Sequence, residues 1–364
     1  MISKLFDIVG KHIDAFLMAC LFFTVLLGLF VLYSASGQNI ARVYGQGLNI
    51  IVALSFMWIA ANISPNQLIR IAMPLYLLGV VLLIGVELFG HISHGARRWL
   101  DIGPIHIQPS EIMRIALPMM LAMYFSKREG KPKVSDFVVG ALFLFVPVLL
   151  IMKQPDLGTA LLIAASGFYI LFLAGLSWKF LLGGATLLGA LTPVFWSLLH
   201  DYQRRRIEIL FDPTQDPLGA GYHTIQAIIA LGSGGGAGKG WLNGTQTQLE
   251  FLPERTTDFI FAVFGEEFGL LGNLLLLLLF SLIILRGLYI ASQAKSTFSR
   301  LLAGSITLTF FTYAFVNMGM VSGILPVVGV PLPLISYGGT SMVTLCLSFG
   351  ILMSIHTHKN LVAI

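Results

Sequence analysis

The chain has 364 residues, of which 56% are apolar and only 11% charged, with a formal net charge of +5 and a mean hydropathy of +0.86. These values lie far outside the make-up of soluble domains, leave no room for a water-soluble domain and define an all-α polytopic membrane protein, read as a single integral domain over residues 1–364. No nucleic-acid partner is expected, and the two cysteines, Cys20 and Cys346, sit in apolar runs as packing residues with neither metal spacing nor a disulfide framework.

A bilayer core about 30 Å thick takes about 20 apolar residues per helix. Runs of that kind predict about ten transmembrane helices, near 15–34, 45–62, 69–89, 110–125, 136–152, 158–176, 180–198, 259–285, 299–321 and 341–355. The opening MISKLFDIVGKHIDAF lacks a small-residue cleavage site, so the first helix is expected to be retained. Lys4 and Lys11, the group Lys127, Arg128, Lys131 and Lys133, then Arg286, Lys295, Arg300 and Lys359 all fall on one side if both termini are cytoplasmic.

The fourth span begins QPSEIMRIALPMM. Ser110 is expected to cap it, and Glu111 and Arg114, three residues apart and so on one face, to form a structural ion pair within the membrane. The opposite side of the membrane should be poor in cations, yet it carries Arg97, Arg98, Lys153, Arg204, Arg205, Arg206, Lys239 and Arg255. Taken singly they suit pairing with local acids such as Asp101, Asp156 and Asp212. Taken together, beside a hydrophobic surface, they suit an anion that is itself attached to lipid, above all a phosphate or diphosphate.

Residues 199–258 form one long extracytoplasmic loop between spans seven and eight, expected to lie at the membrane surface or re-enter it and to roof a site. Its GSGGGAGKG run fails as a phosphate-binding loop, because Ser233 and Gly240 stand where a Walker motif needs Gly and Ser or Thr. Flexible surface backbone is the expected role of these glycines.

The stretch FLPERTTDFIFAV sets Asp258 at the start of the eighth span, where a carboxylate is costly to keep dry and available for chemistry. Glu266 and Glu267, two turns on, need partners or protonation. Asp258, Phe261, Ala262, Gly265 and Gly269 share one narrow helical face, suited either to a lipid tail or to close helix packing. The last connection, NMGMVSGILPVVGVPLPLISYGGTS, cannot be helical throughout, and its Ser336 to Ser341 stretch is expected to face the same cavity as Asp258.

The runs QPDLGTALL (154–162), FDPTQDPLGAGYHTIQA (211–227), FLPERTTDFIFAVFGEEFG (251–269) and NMGMVSGILPVVGVPLPLISYGGTS (317–341) resemble the SEDS family of bacterial cell-wall polymerases, most closely its rod-shape members, over nearly the whole chain. The resemblance implies a ten-helix peptidoglycan glycosyltransferase of the bacterial cytoplasmic membrane. It would polymerise lipid II, an undecaprenyl diphosphate-linked disaccharide pentapeptide, at the outer face. Its implied partners are a class B penicillin-binding protein and other proteins of the elongation complex. The family's essential aspartate falls on Asp258; Glu254 and Thr257 belong to the same motif, and Arg206, Arg98 and the QPDLG segment match family runs. Thr256 stands where relatives often carry His, which removes support for a histidine relay, and Arg114 replaces a common Lys in the helix pair.

In that reading Asp258 is the general base, worth about 100- to 10,000-fold. A leaving diphosphate needs counter-charge more than a proton, drawn from the outward cations or from Mg²⁺ or another divalent cation, with no organic cofactor. Lys153, Lys239, Arg255 and Ser336 complete the expected substrate-binding set, Arg255 either touching the diphosphate or pairing with Asp258. The competing readings are a lipid-linked precursor transporter and a scaffold that only recruits an enzyme.

Overall fold

A computed structural model describes residues 12–93, 96–102, 105–128, 130–198, 204–205, 208–210, 212, 220–252 and 254–358. A helix lies at each of the ten predicted positions, with ends that differ by several residues: α1 (Ala15–Ala35), α2 (Ile40–Asn62), α3 (Pro65–Phe89), α4 (Pro109–Ser126), α5 (Val134–Lys153), α6 (Leu157–Leu173), α7 (Trp178–Leu198), α10 (Ile260–Gln293), α11 (Thr297–Val321) and α12 (Gly339–Thr357). Two shorter helices, α8 (Ala220–Ser233) and α9 (Thr245–Gln248), lie in the long connection. Among the described residues, seven helices (α1, α2, α3, α5, α10, α11 and α12) are long and apolar enough to cross a membrane.

The chain is not wholly helical. Between α3 and α4 run three short strands, β1 (His91–Ser93), β2 (Ala96–Ile102) and β3 (Ile105–Ile107), antiparallel with β2 in the centre. Arg98 on β2 lies beside the start of α6, where it meets Asp156. Ser110 does not cap α4: the helix starts one residue earlier at Pro109, whose fixed φ and missing N–H suit a first helical position, and Gln108 is the capping residue.

The core forms where α2 packs on α12, α3 on α4, α6 on α11 and α10 on α11. Caps set where helices begin. Asp14 accepts from Leu17 N at 2.8 Å, Asn39 from Ala41 N at 3.0 Å, and Asp156 from Thr159 N at 3.2 Å. Asp14 also accepts from Arg286 Nε at 3.2 Å, which pins the start of α1 to the far end of α10.

Burial alone would raise the Asp14 carboxyl, but the hydrogen bonds from Arg286 and from Leu17 N outweigh it and hold the group below its usual value. A carboxyl depressed in the folded state contributes stability that is complete above its unfolded value and is lost as pH falls through the folded one. The protein should therefore melt progressively earlier below about pH 4. Asp14→Asn should flatten that part of the profile, and melting curves across this range check it.

The helix α10 is broken at Gly269, whose φ of 61° and ψ of −156° are open only to glycine. The break frees main-chain groups at membrane depth, and the glycine-rich loop takes them up. Lys239 N donates to Glu266 O and Gly240 N to Glu267 O, each at 3.0 Å, while Leu270 N and Leu271 N donate to Gly235 O and Gly236 O at 2.9 and 3.0 Å. Side chains at Gly234 or Gly238 would collide with Gly265 O or Glu267 O. These glycines are therefore close-approach positions and not flexible surface backbone, because unpaired backbone is tolerated in a membrane only against protein or water.

Candidate functional site

Asp258 lies in the turn before α10 and is half-buried. Its turn is held through the main chain. Tyr337 N donates to Thr256 O at 2.8 Å, Ser336 Oγ to Thr257 O at 2.6 Å, and Asn317 Nδ2 to Asp258 O at 2.8 Å and Val330 O at 2.7 Å. The Pro/Gly-rich segment before α12 thus packs directly on the aspartate turn, and a Cβ at Gly329 would stand 3.5 Å from Asp258 Oδ2. A carboxylate on a turn fixed at each carbonyl can hold one orientation against a reacting hydroxyl.

The candidate cations are placed differently from one another. Arg98 Nε pairs with Asp156 Oδ2 at 3.3 Å, and its Nη2 donates to Pro155 O at 3.3 Å. This sets it over the QPDLG turn, whose Gly158 packs against Val328 O. Lys153 is exposed at the end of α5, and Arg206 lies outside the described residues. Lys239 is bound by Glu266 Oε1 at 2.8 Å and Thr245 Oγ1 at 2.7 Å, so it locks the loop instead of standing ready for a ligand. Arg255 pairs with Glu250 Oε1 at 2.8 Å and donates to Thr247 O, which anchors it to α9 and its flank.

Glu254 is exposed and accepts from Thr257 Oγ1 at 2.8 Å, closing the turn on itself. Ser336 is buried and joins Leu332 N to Thr257 O, which gives it a structural role in this turn. Glu111 and Arg114 pair at 2.7 Å, with the guanidinium 5.0 Å from the Tyr313 ring centre. Glu266 is fully buried and accepts from Lys239, Thr245, Gln246 N and Thr247; Glu267 accepts from Ser34 Oγ and Leu242 N. The narrow face of α10 is covered by α8 and the glycine loop, as Leu231 against Gly265 shows, so close packing is the reading that holds.

Three residues at the site were missed from sequence. Arg42 Nη1 donates to Thr256 Oγ1 at 3.1 Å, Gln46 Nε2 to Ser336 O at 3.3 Å, and Asn317 carries the two bonds above. Their signal was present: Arg42, Gln46 and Asn49 are polar residues recurring in the first turns of an otherwise apolar helix. Starting the second span at residue 45 hid the first of them.

Asn317 is fully buried, and its donors reach the carbonyl of Asp258 itself. Asn317→Ala leaves the buried Val330 carbonyl without that donor, at about 1–3 kcal/mol, and frees the aspartate to shift. A displacement of about 1 Å lowers turnover about 100-fold. The expected result is a fall in kcat larger than any change in KM. Asn317→Asp, similar in shape without the donors, should fail likewise.

The fold and this site together define a multi-pass helical membrane protein with an aspartate held at the junction of a long connecting loop, an apolar helix and an irregular Pro/Gly segment. Residues 14–361 match the model of the FtsW/RodA/SpoVE cell cycle proteins, and the chain belongs to that family. It is 50% identical to the peptidoglycan glycosyltransferase MrdB of Escherichia coli strain K12 over 353 residues, covering 97% of this chain and 95% of that protein. Its fold matches a chain of a peptidoglycan synthase complex that coordinates polymerization and crosslinking (TM-score 0.85, 31% identity, 95% and 98% of the two chains). It also matches the rod shape determining protein RodA of Thermus thermophilus (TM-score 0.72, 27% identity, 95% and 97% covered).

Proposed function

We propose that this protein is a peptidoglycan glycosyltransferase that joins lipid II units into β-1,4-linked glycan for elongation of the wall and maintenance of rod shape. The reading places ten helices across the bacterial cytoplasmic membrane, both termini inside and Asp258 facing outward. A class B penicillin-binding protein would crosslink the product. The observation that carries it is the fixing of Asp258 by bonds to the carbonyls of Thr256, Thr257 and Asp258 itself.

In the transfer, the 4-hydroxyl of one sugar attacks the anomeric carbon of another while Asp258 takes the hydroxyl proton. The bond from that carbon to undecaprenyl diphosphate breaks, and attack on the face opposite the leaving group inverts an α-linked donor to a β-linked product. Arg98 and Arg42, on β2 and α2, supply counter-charge to the leaving diphosphate. Among the described residues no three His, Cys, Asp or Glu side chains are grouped to hold a metal ion; a Mg²⁺ at the diphosphate would take one or two carboxylates and the substrate's own phosphate oxygens as ligands, and no step is routed through it. Glu266 and Glu267, the carboxylates a transport path would use, are bonded to the loop, which favours transfer over transport.

The test is labelled lipid II given to the purified protein and its transpeptidase partner in detergent, where transport has no meaning. Glycan chains are expected; their absence from protein shown to be folded would return the transporter reading.

A further inference from the structure

The helix α8 lies against the aspartate turn, and one of its side chains is not explained by packing. Two contacts seat the helix. Leu231 fills the space over Gly265 in α10, and Ile228 fills that over Gly323, just past the end of α11. Ala227 and Ala230, four and seven residues after His223, are fully buried, so helical spacing puts His223 on the inward side. Its ring stacks on that of Phe259, with centres 6.2 Å apart and planes at 23°, and Phe259 directly follows Asp258. Glu254, at the start of the same turn, is near enough to act on the charge of the ring. The imidazole therefore stands over the stretch 254–259 that carries the aspartate.

The two ring nitrogens have different surroundings. Nδ1 is buried and has no hydrogen-bond partner. Nε2 is also unbonded among the described residues, and it is the edge of this half-buried side chain left open. A proton on Nδ1 would point at no acceptor in a dry place, which puts the proton on Nε2. The imidazolium needs both nitrogens to donate, and burial accordingly holds His223 below its usual value against the pull of Glu254. The result is a neutral ring that offers one N–H donor beside the turn. Such a group is no rival to Asp258 for a proton, but it can hold an oxygen.

We infer that His223 is a substrate-contacting residue whose Nε2–H donates to an oxygen of the sugar brought to Asp258. It holds that sugar and takes no part in the proton transfer. Assigning the oxygen to a sugar rests on the proposed glycosyl transfer. The neutral donor over the aspartate turn rests on the seating of α8 alone.

Binding is measured with the full-length protein in detergent, in an Asp258→Asn background where turnover is suppressed. The probes are labelled lipid II and undecaprenyl phosphate, which has the lipid and the phosphate but no sugar. His223→Phe keeps a ring on Phe259 and removes both nitrogens. It should weaken lipid II binding about tenfold, the order of one hydrogen bond, and leave undecaprenyl phosphate unchanged. His223→Gln brings an amide donor to nearly the same place and should return lipid II binding to within about twofold of the parent. With Asp258 restored, His223→Phe should raise KM for lipid II and keep kcat, as expected of a contact made equally before and during the transfer. Equal weakening of both probes by His223→Phe would make the residue a support of the fold, and a glutamine that binds no better than phenylalanine would remove the donor; either overturns the inference. Lipid II binding that depends on His223 in a protein that forms no glycan would sink the proposed reaction and leave the contact. An active wild type whose lipid II binding ignores His223→Phe would sink the contact alone.

Discussion

Replacing Asp258 by Asn is expected to lower the rate of glycan polymerisation by at least about 100-fold, the lower end of what a positioned general base contributes. The substitution keeps the size of the side chain and removes its capacity to take a proton from a sugar hydroxyl. It leaves in place the bonds that hold the main chain of this turn, from Asn317, Ser336 and Tyr337. Asp258→Glu offers the complementary measurement. It keeps the base and moves it by one methylene on a turn that does not yield, and a misplacement of about 1 Å is enough for a loss of about 100-fold. A polymerisation rate for Asp258→Asn close to wild type would remove this residue from the chemistry, whatever the fold.

The helices were legible because a membrane span is a long signal: about 20 consecutive residues contribute to each. The Asp258 stretch was legible for a related reason, since a carboxylate beside an apolar run stands out against its background. Pairings between distant residues were not. Lys239 reads as a loose cation because its partner Glu266 is 27 residues away, and only the fold brings the two together.

The break in α10 was hidden for a different reason. Its glycine is followed by an apolar run that continues the hydropathy signal, and the torsion at Gly269 is set by the loop that docks there, not by its neighbours in sequence. Arg98 and Arg255 stood out as cations, and Asp156 was among the acids expected to pair locally, whereas Glu250 was not. The strands escaped notice because HISHGARRWLDIGPIHIQ draws the eye to its charges, and three-residue strands carry almost no pattern of their own.

Lys239→Met is expected to cost about 3–5 kcal/mol, the range seen when one partner of a buried ion pair is removed. Glu266 is fully buried, so without the ammonium its carboxylate has no counter-charge and no water. The hydrogen bonds from Thr245, Gln246 N and Thr247 remain, which argues for the lower end of the range. Adding Glu266→Gln to Lys239→Met should recover part of the loss, since a neutral amide tolerates burial better than an unpaired carboxylate, and the cycle isolates the coupling of the pair. Thermal melting of the four proteins in detergent is the measurement, and additive losses would mean that the pair does not hold the loop. The effect should reach the site as well. Thr247 both donates to Glu266 and accepts from Arg255 through its carbonyl, so the pair, α9 and the cation beside the aspartate turn form one connected support. A Lys239→Met protein examined below its melting temperature should therefore turn over more slowly, because one support of Glu266 is gone, while the bonds from Thr247 to Glu266 and the Arg255 to Glu250 pair still hold α9 in place.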